Sequence, residues 1–194
     1  MDCILWIILR VYFGVYGGDG SRCIEDNPVE PEPVRTEATV RQAVIDTAWQ
    51  YVGLRELTGK NDGPEIDKFL DSAGVGRNLA WCVAFACYVY KVNMLLTPSG
   101  CAWTPSWFPL SKLVAYEEVQ PGDMLSLWST KLKREYHGEI FHSHSGTNTR
   151  SIGGNTGPTG SIGGFDVDGD GVYFKLRPRS TIHSFSNWIS PQFP

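Results

Sequence analysis

Cys82 is the residue of this chain best placed to do chemistry. It follows the apolar stretch Leu79-Ala80-Trp81 and stands where the run Val83-Ala84-Phe85-Ala86-Cys87-Tyr88-Val89-Tyr90, apolar nearly all round, predicts a buried helix. A thiol at a helix N-terminus feels the positive end of the dipole and the amide N–H groups that no helical carbonyl engages. Both favour thiolate, and a free cysteine of pKa about 8.5 can fall by several units in such a place. The same N–H groups can donate to the oxyanion formed when the sulfur attacks a carbonyl. The competing reading is a buried structural cysteine, which is the role expected of Cys87 on the same helix.

A thiolate nucleophile needs a base, and the chain offers His137, His142, His144 and His183. His137 opens a predicted strand after a charged, polar turn, where its ring can face a cleft. His142 and His144 end the same strand and, by regular alternation, point away from the face of His137. They read as part of a polar turn rather than as a metal site, and no helix-borne H-E-x-x-H is present. His183 falls in the last predicted strand, in a core or surface role. An imidazole base also needs a group that fixes its tautomer and ring plane. Asn155, in Gly153-Gly154-Asn155-Thr156, ends the strand after His137, and antiparallel pairing could bring its amide alongside. Taken alone, Asn155 reads more readily as a turn residue of positive φ. Asp166-Val167-Asp168-Gly169-Asp170-Gly171 has the start of a calcium loop, yet Arg177 stands where the bidentate Glu belongs. An acidic hairpin turn is the simpler account, so no metal is expected.

These residues need a frame to bring them together. Thr36 can cap a helix running to about residue 51, with Val40, Ala43, Val44 and Ala48 at helical spacing. Pro64 opens a second, short helix that Gly74 ends, and Cys82 begins the third. From Pro121-Gly122-Asp123 onward the texture changes to short strands between Gly-rich turns, over residues 124–128, 137–141, 149–153, 172–177 and 182–185. Helices first and strands later predict an α+β domain with an antiparallel sheet.

The domain is expected over residues 36–194, after an apolar N-terminal segment and a proline-rich linker over residues 1–35. Residues 3–16 are apolar except for Arg10 and too short for a spanning helix of about 20 residues. They read as the core of an atypical secretion signal, as a packed terminal element or as a membrane-surface anchor. With 194 residues, 42% hydrophobic and 20% charged, the chain has the composition of a soluble globular protein. A net charge of −4 provides no basic face, which disfavours a nucleic-acid partner. The five cysteines, Cys3, Cys23, Cys82, Cys87 and Cys101, form no paired CxxC knuckles, and a disulfide-defined fold is not expected.

Several blocks, in order, resemble the CHAP-type cysteine hydrolases. They are Asn61-Asp62-Gly63-Pro64-Glu65-Ile66, Ala80-Trp81-Cys82-Val83-Ala84-Phe85, Trp103-Thr104-Pro105-Ser106-Trp107-Phe108, Pro121-Gly122-Asp123, Tyr136-His137-Gly138, Gly154-Asn155-Thr156 and Asp170-Gly171-Val172-Tyr173. The resemblance covers residue 36 to the C-terminus. It implies a papain-like fold, with N-terminal helices packed on a C-terminal antiparallel sheet and a helix-borne cysteine facing a sheet-borne histidine. It implies hydrolysis of amide or peptide bonds of peptidoglycan, as amidase or endopeptidase, without a cofactor. Cys82, His137 and Asn155 take the parts of nucleophile, base and orienting residue, and Trp81, Trp103 and Trp107 are candidate walls of the substrate groove. The expected partner is the stem peptide or glycan of the wall, with no stable membrane span, and the expected location is the cell envelope or the exterior. A phage lysin would be cytoplasmic before release. The sequence leaves the oligomeric state open. Two positions depart from the family pattern: Gly153 stands where many members carry a carboxylate, and His137-Gly138-Glu139 replaces His-x-Gly. They motivate the rival reading, a weak or inactive wall-binding or virion module; an effector amidase would use the same chemistry.

Overall fold

A computed structural model describes residues 34–158 and 169–193. The N-terminal segment, the greater part of the linker and the first three residues of the acidic 166–171 run lie outside the described residues, and with them the readings made there.

Three helices precede the sheet, as their sequence signals predict. Helix α1 (Glu37–Gln50) is capped by Thr36, whose hydroxyl accepts from the Thr39 N–H while the Thr39 hydroxyl accepts from the Thr36 N–H. Helix α2 (Pro64–Ser72) opens on its proline, and Gly74 adopts φ +72° just past its end. Helix α3 (Cys82–Val92) is buried at eight of its eleven positions. That burial follows from its near-continuous apolar sequence.

Six strands form one antiparallel sheet in the order β1-β6-β2-β3-β4-β5. They are β1 (Leu113–Val114), β2 (Met124–Ser129), β3 (Arg134–Ser145), β4 (Asn148–Thr156), β5 (Gly171–Pro178) and β6 (Ser184–Ser186). The α+β architecture predicted from the sequence is therefore present, with helices packed on an antiparallel sheet. Strand alternation divides the interior. Met124, Ile140 and Ile152 join the helices in the larger core, and Leu125, Leu127 and Phe141 form a second with Val119, Ile182 and Phe185. Among the described residues, no helix is long and apolar enough to cross a membrane.

Two ties hold the helices to the rest. Arg41, buried on α1, donates to the Asp123 carboxylate and to the Pro121 carbonyl, both at 2.9 Å. This explains the Pro-Gly-Asp block as an anchor for α1; the buried charges are tolerated because each is paired and hydrogen-bonded. The second tie was not expected from the sequence: Cys87 on α3 forms a disulfide with Cys101, with Cα atoms 5.8 Å apart. Cys87 is thus buried and structural, but as a half-cystine. Cys82 is the free cysteine among the described residues.

Strand β3 also runs further than predicted, and a bulge between Phe141 and Ser143 breaks its alternation. His142 consequently packs against Trp49 and Phe174, whereas His144 packs against Tyr116 and Phe141. The two imidazoles therefore have different surroundings instead of the common face predicted. His183 lies over the Trp128 ring, centroids 4.5 Å apart. Among the described residues, no cluster of three or more His, Cys, Asp or Glu is arranged to hold a metal ion.

Candidate active site

The site lies where β3 and β4 part. Their ladder runs from Ser145↔Asn148 to Ile140↔Ile152 and goes no further, so residues 134–139 of β3 are paired with β2 alone. The first turn of α3 meets this free edge. The Gly138 N–H, with no β4 carbonyl opposite it, and the Val83 N–H of the helix lie beside the Cys82 sulfur and favour its ionisation. Glycine is required at 138 by this approach: a Cβ there would lie 2.8 Å from Val83 Cγ1 and 3.6 Å from Thr104 Cγ2. Gly154 plays the same part on β4, where a Cβ would lie 2.7 Å from the Trp81 ring and 2.9 Å from Phe85 Cβ.

Cys82 and His137 adjoin each other in the interior, 6% and 2% exposed, and each shifts the ionisation of the other. Burial pushes the thiol pKa up, but it is outweighed by the hydrogen bond and charge of His137 and by the two backbone donors. The net direction is down. Burial likewise pulls the imidazole pKa down; the hydrogen bond and charge of Cys82, then those of Glu139, overcome it and raise His137 to about 9. Both shifts have the sign of a thiolate–imidazolium pair.

The imidazole's second partner is Glu139, which sequence reasoning missed. Nε2 of His137 is 3.1 Å from Glu139 Oε1. The carboxylate is itself held by the Arg177 guanidinium, whose Nε lies 3.1 Å from each oxygen and whose Nη2 also donates, and by the Ser151 hydroxyl. Burial opposes its ionisation, but the Arg177 charge, His137 and these hydrogen bonds keep its pKa well below the usual carboxylate range. The signal was legible as a His-x-Glu pair in a strand, because residues two apart share a face.

Asn155 is buried beside the site, with φ +50°, but it does not orient the imidazole as expected. Its carbonyl oxygen accepts from the Trp81 N–H at 3.3 Å. Its amide nitrogen donates to Asn61 Oδ1 at 2.9 Å, to the Gly169 carbonyl at 2.8 Å and to Glu56 Oε1 at 3.3 Å. It fixes the residue before Cys82 instead. Glu56 reinforces this by accepting from the Trp81 indole N–H at 2.9 Å.

The expected aromatic walls need correction as well. Trp81 and Trp107 are 0% exposed, and the Trp107 indole donates to the Cys101 carbonyl at 2.9 Å. Their large apolar surfaces are spent on the core, against Phe69 in one case and Tyr90 in the other. Trp103 alone of the three is open, at 51% exposure, with the Arg134 guanidinium 4.1 Å over its ring.

No protein-family model matches the chain, and neither does any curated protein. Among solved structures, the NlpC/p60 domain of the peptidoglycan hydrolase SagA is similar over 76% of this chain and 97% of its own, with 19% identity and a TM-score of 0.43. An NlpC/p60 family protein from Bacillus cereus ATCC 10987 is similar over 81% of this chain and 41% of its own, with 12% identity and a TM-score of 0.47. At these values the likeness assigns no role to any residue.

Proposed function

We propose that this chain is a cysteine hydrolase that cleaves amide bonds of bacterial peptidoglycan by acyl transfer, with Cys82 as nucleophile and His137 as general base and acid. The observation that carries the chemistry is the juxtaposition of a buried thiol at a helix start with an imidazole held by a carboxylate. The substrate class follows the CHAP-type resemblance of the sequence blocks around these residues.

In the first step the Cys82 thiolate adds to the amide carbon, forming the C–S bond and pushing the carbonyl electrons onto oxygen. The first amides of α3 have no helical acceptor and no side-chain cap at Trp81; with the Val83 N–H beside the sulfur, the N–H of Cys82 itself is the donor this reading assigns to the oxyanion. As the tetrahedral intermediate collapses, the C–N bond breaks and the His137 imidazolium gives its proton to the leaving amine. Water then attacks the thioester while neutral His137 takes its proton. The C–S bond breaks and the thiolate–imidazolium pair is restored.

Trp103, half exposed beside Arg134, is the one of the three tryptophans open to a glycopeptide, and Asn155 holds the start of α3 in register through Trp81. The domain boundary at residue 36 and an envelope or extracellular location fit this reading, and the disulfide is of the kind that persists in oxidising compartments.

Purified peptidoglycan is the test, with products read by mass spectrometry, which also names the bond. The wild type is expected to release fragments, and both Cys82→Ala and His137→Ala to lose release by about 10³-fold or more. Equal release by the wild type and both mutants would refute the assignment.

A further inference from the structure

We propose that Glu139, clamped by Arg177, is the positioning residue for His137, and that it does so from β3 by filling the space that glycine leaves at position 153 of β4. The inference rests on the Cys82–His137 reading for its catalytic meaning, but not for its geometry.

Three observations carry it. Glu139 is 1% exposed and its carboxylate lies on His137 Nε2. A buried carboxylate so placed fixes the ring plane and supports the positive charge on the imidazolium. Arg177 and Ser151 supply the donors that keep it ionised without water. Finally, positions 139 and 153 compete for one volume: a Cβ on Gly153 would lie 2.7 Å from Glu139 Oε1 and 2.9 Å from both Cδ and Cγ. A side chain at 153 therefore excludes the present position of Glu139. Conversely, with glycine at 139, a carboxylate at 153 would start within reach of the same Arg177 and His137. Position 153 faces Tyr173 in the β4–β5 ladder, two residues from Ser151 on the same strand face. Sheet geometry thus allows the carboxylate to come from either strand, provided the other position is bare.

The test is an exchange. The alkylation rate of Cys82 by iodoacetamide is followed against pH for the wild type, E139Q, E139G and the double variant E139G/G153E. Thiolate reactivity changes when the neighbouring imidazolium loses its proton, so the alkaline inflection reads His137. E139Q is expected to move that inflection down by about one pH unit, the effect of removing one close opposite charge. E139G moves it at least as far, and E139G/G153E brings it back towards the wild-type position. In wall hydrolysis, rates should fall by about 10²-fold in E139G and recover in the exchange variant.

An E139Q inflection at the wild-type pH overturns the proposal. So does an exchange variant that is no better than E139G, or one that fails to fold, since position 153 then does not offer the room. If the wild type hydrolyses no peptidoglycan, the functional reading fails while the alkylation series still decides this one.

Discussion

Gly138 offers the sharpest test of how the site is assembled, because it carries no side chain of its own to do chemistry. In Gly138→Ala the new methyl would lie 2.8 Å from Val83 Cγ1, against about 3.5–4.0 Å for an ordinary carbon–carbon contact. Val83 cannot swing aside cheaply, since a helical valine has one strongly preferred rotamer. Strand and helix must separate instead, by several tenths of an ångström. Overpacking of this kind costs about 1–3 kcal/mol. For a domain of this size each kcal/mol lowers Tm by about 2–4 °C, so a loss of about 2–12 °C is expected.

The chemical loss should exceed the loss of stability, because the Gly138 N–H also lies beside the Cys82 sulfur and favours its ionisation. A displacement near 1 Å at a reacting group can cost about 10²-fold in rate. Urea unfolding measures the first effect, and Cys82 alkylation at pH 6 together with wall hydrolysis measures the second. V83A/G138A, which removes the opposing methyls, should recover most of both. If G138A melts within 1 °C of the wild type and alkylates at the same rate, the close approach of α3 to β3 does not position the sulfur, and the reasoning is wrong.

Two further outcomes are expected. In C82A, which removes the partner that raises His137 most, the His137 titration seen by NMR should fall from about 9 toward or below the ordinary imidazole value. The sign for stability follows: the imidazole's share is complete below its unfolded value near 6.5 and is lost as pH rises through about 9, the lowered Cys82 thiol contributes in the opposite sense, and C82A should show neither contribution of the pair in urea unfolding against pH. Replacing the disulfide in C87A/C101A should cost about 3 kcal/mol in urea unfolding, the chain-entropy value for a loop of roughly fifteen residues, while leaving the Cys82 alkylation profile in place.

The elements carrying the site were legible in residue patterns. The helix beginning at Cys82, the capped helix after Thr36 and the strand holding His137 each have a local cause, namely an apolar run, a capping threonine and a charged, polar turn. What the patterns hid is tertiary. The exposure of a tryptophan depends on which elements close over it, so Trp81, Trp103 and Trp107 looked alike although only Trp103 is open. The Cys87–Cys101 pairing depends on how the chain returns after α3, which no spacing dictates. Glu139 was visible two residues from His137. It was read as a departure from a family pattern, as was Gly153, and only the packing shows that the two departures occupy one volume.

The disulfide and the free sulfur of Cys82 share one helix, and their separation keeps them apart chemically. Thiolates attack disulfides, so an ionised cysteine near a cystine is a standing hazard of scrambling. Five residues at about 100° each turn Cys87 about 140° around the axis from Cys82, towards the far side of α3. The body of the helix therefore acts as a spacer between the proposed nucleophile and the crosslink, so that the protein can carry both without one consuming the other.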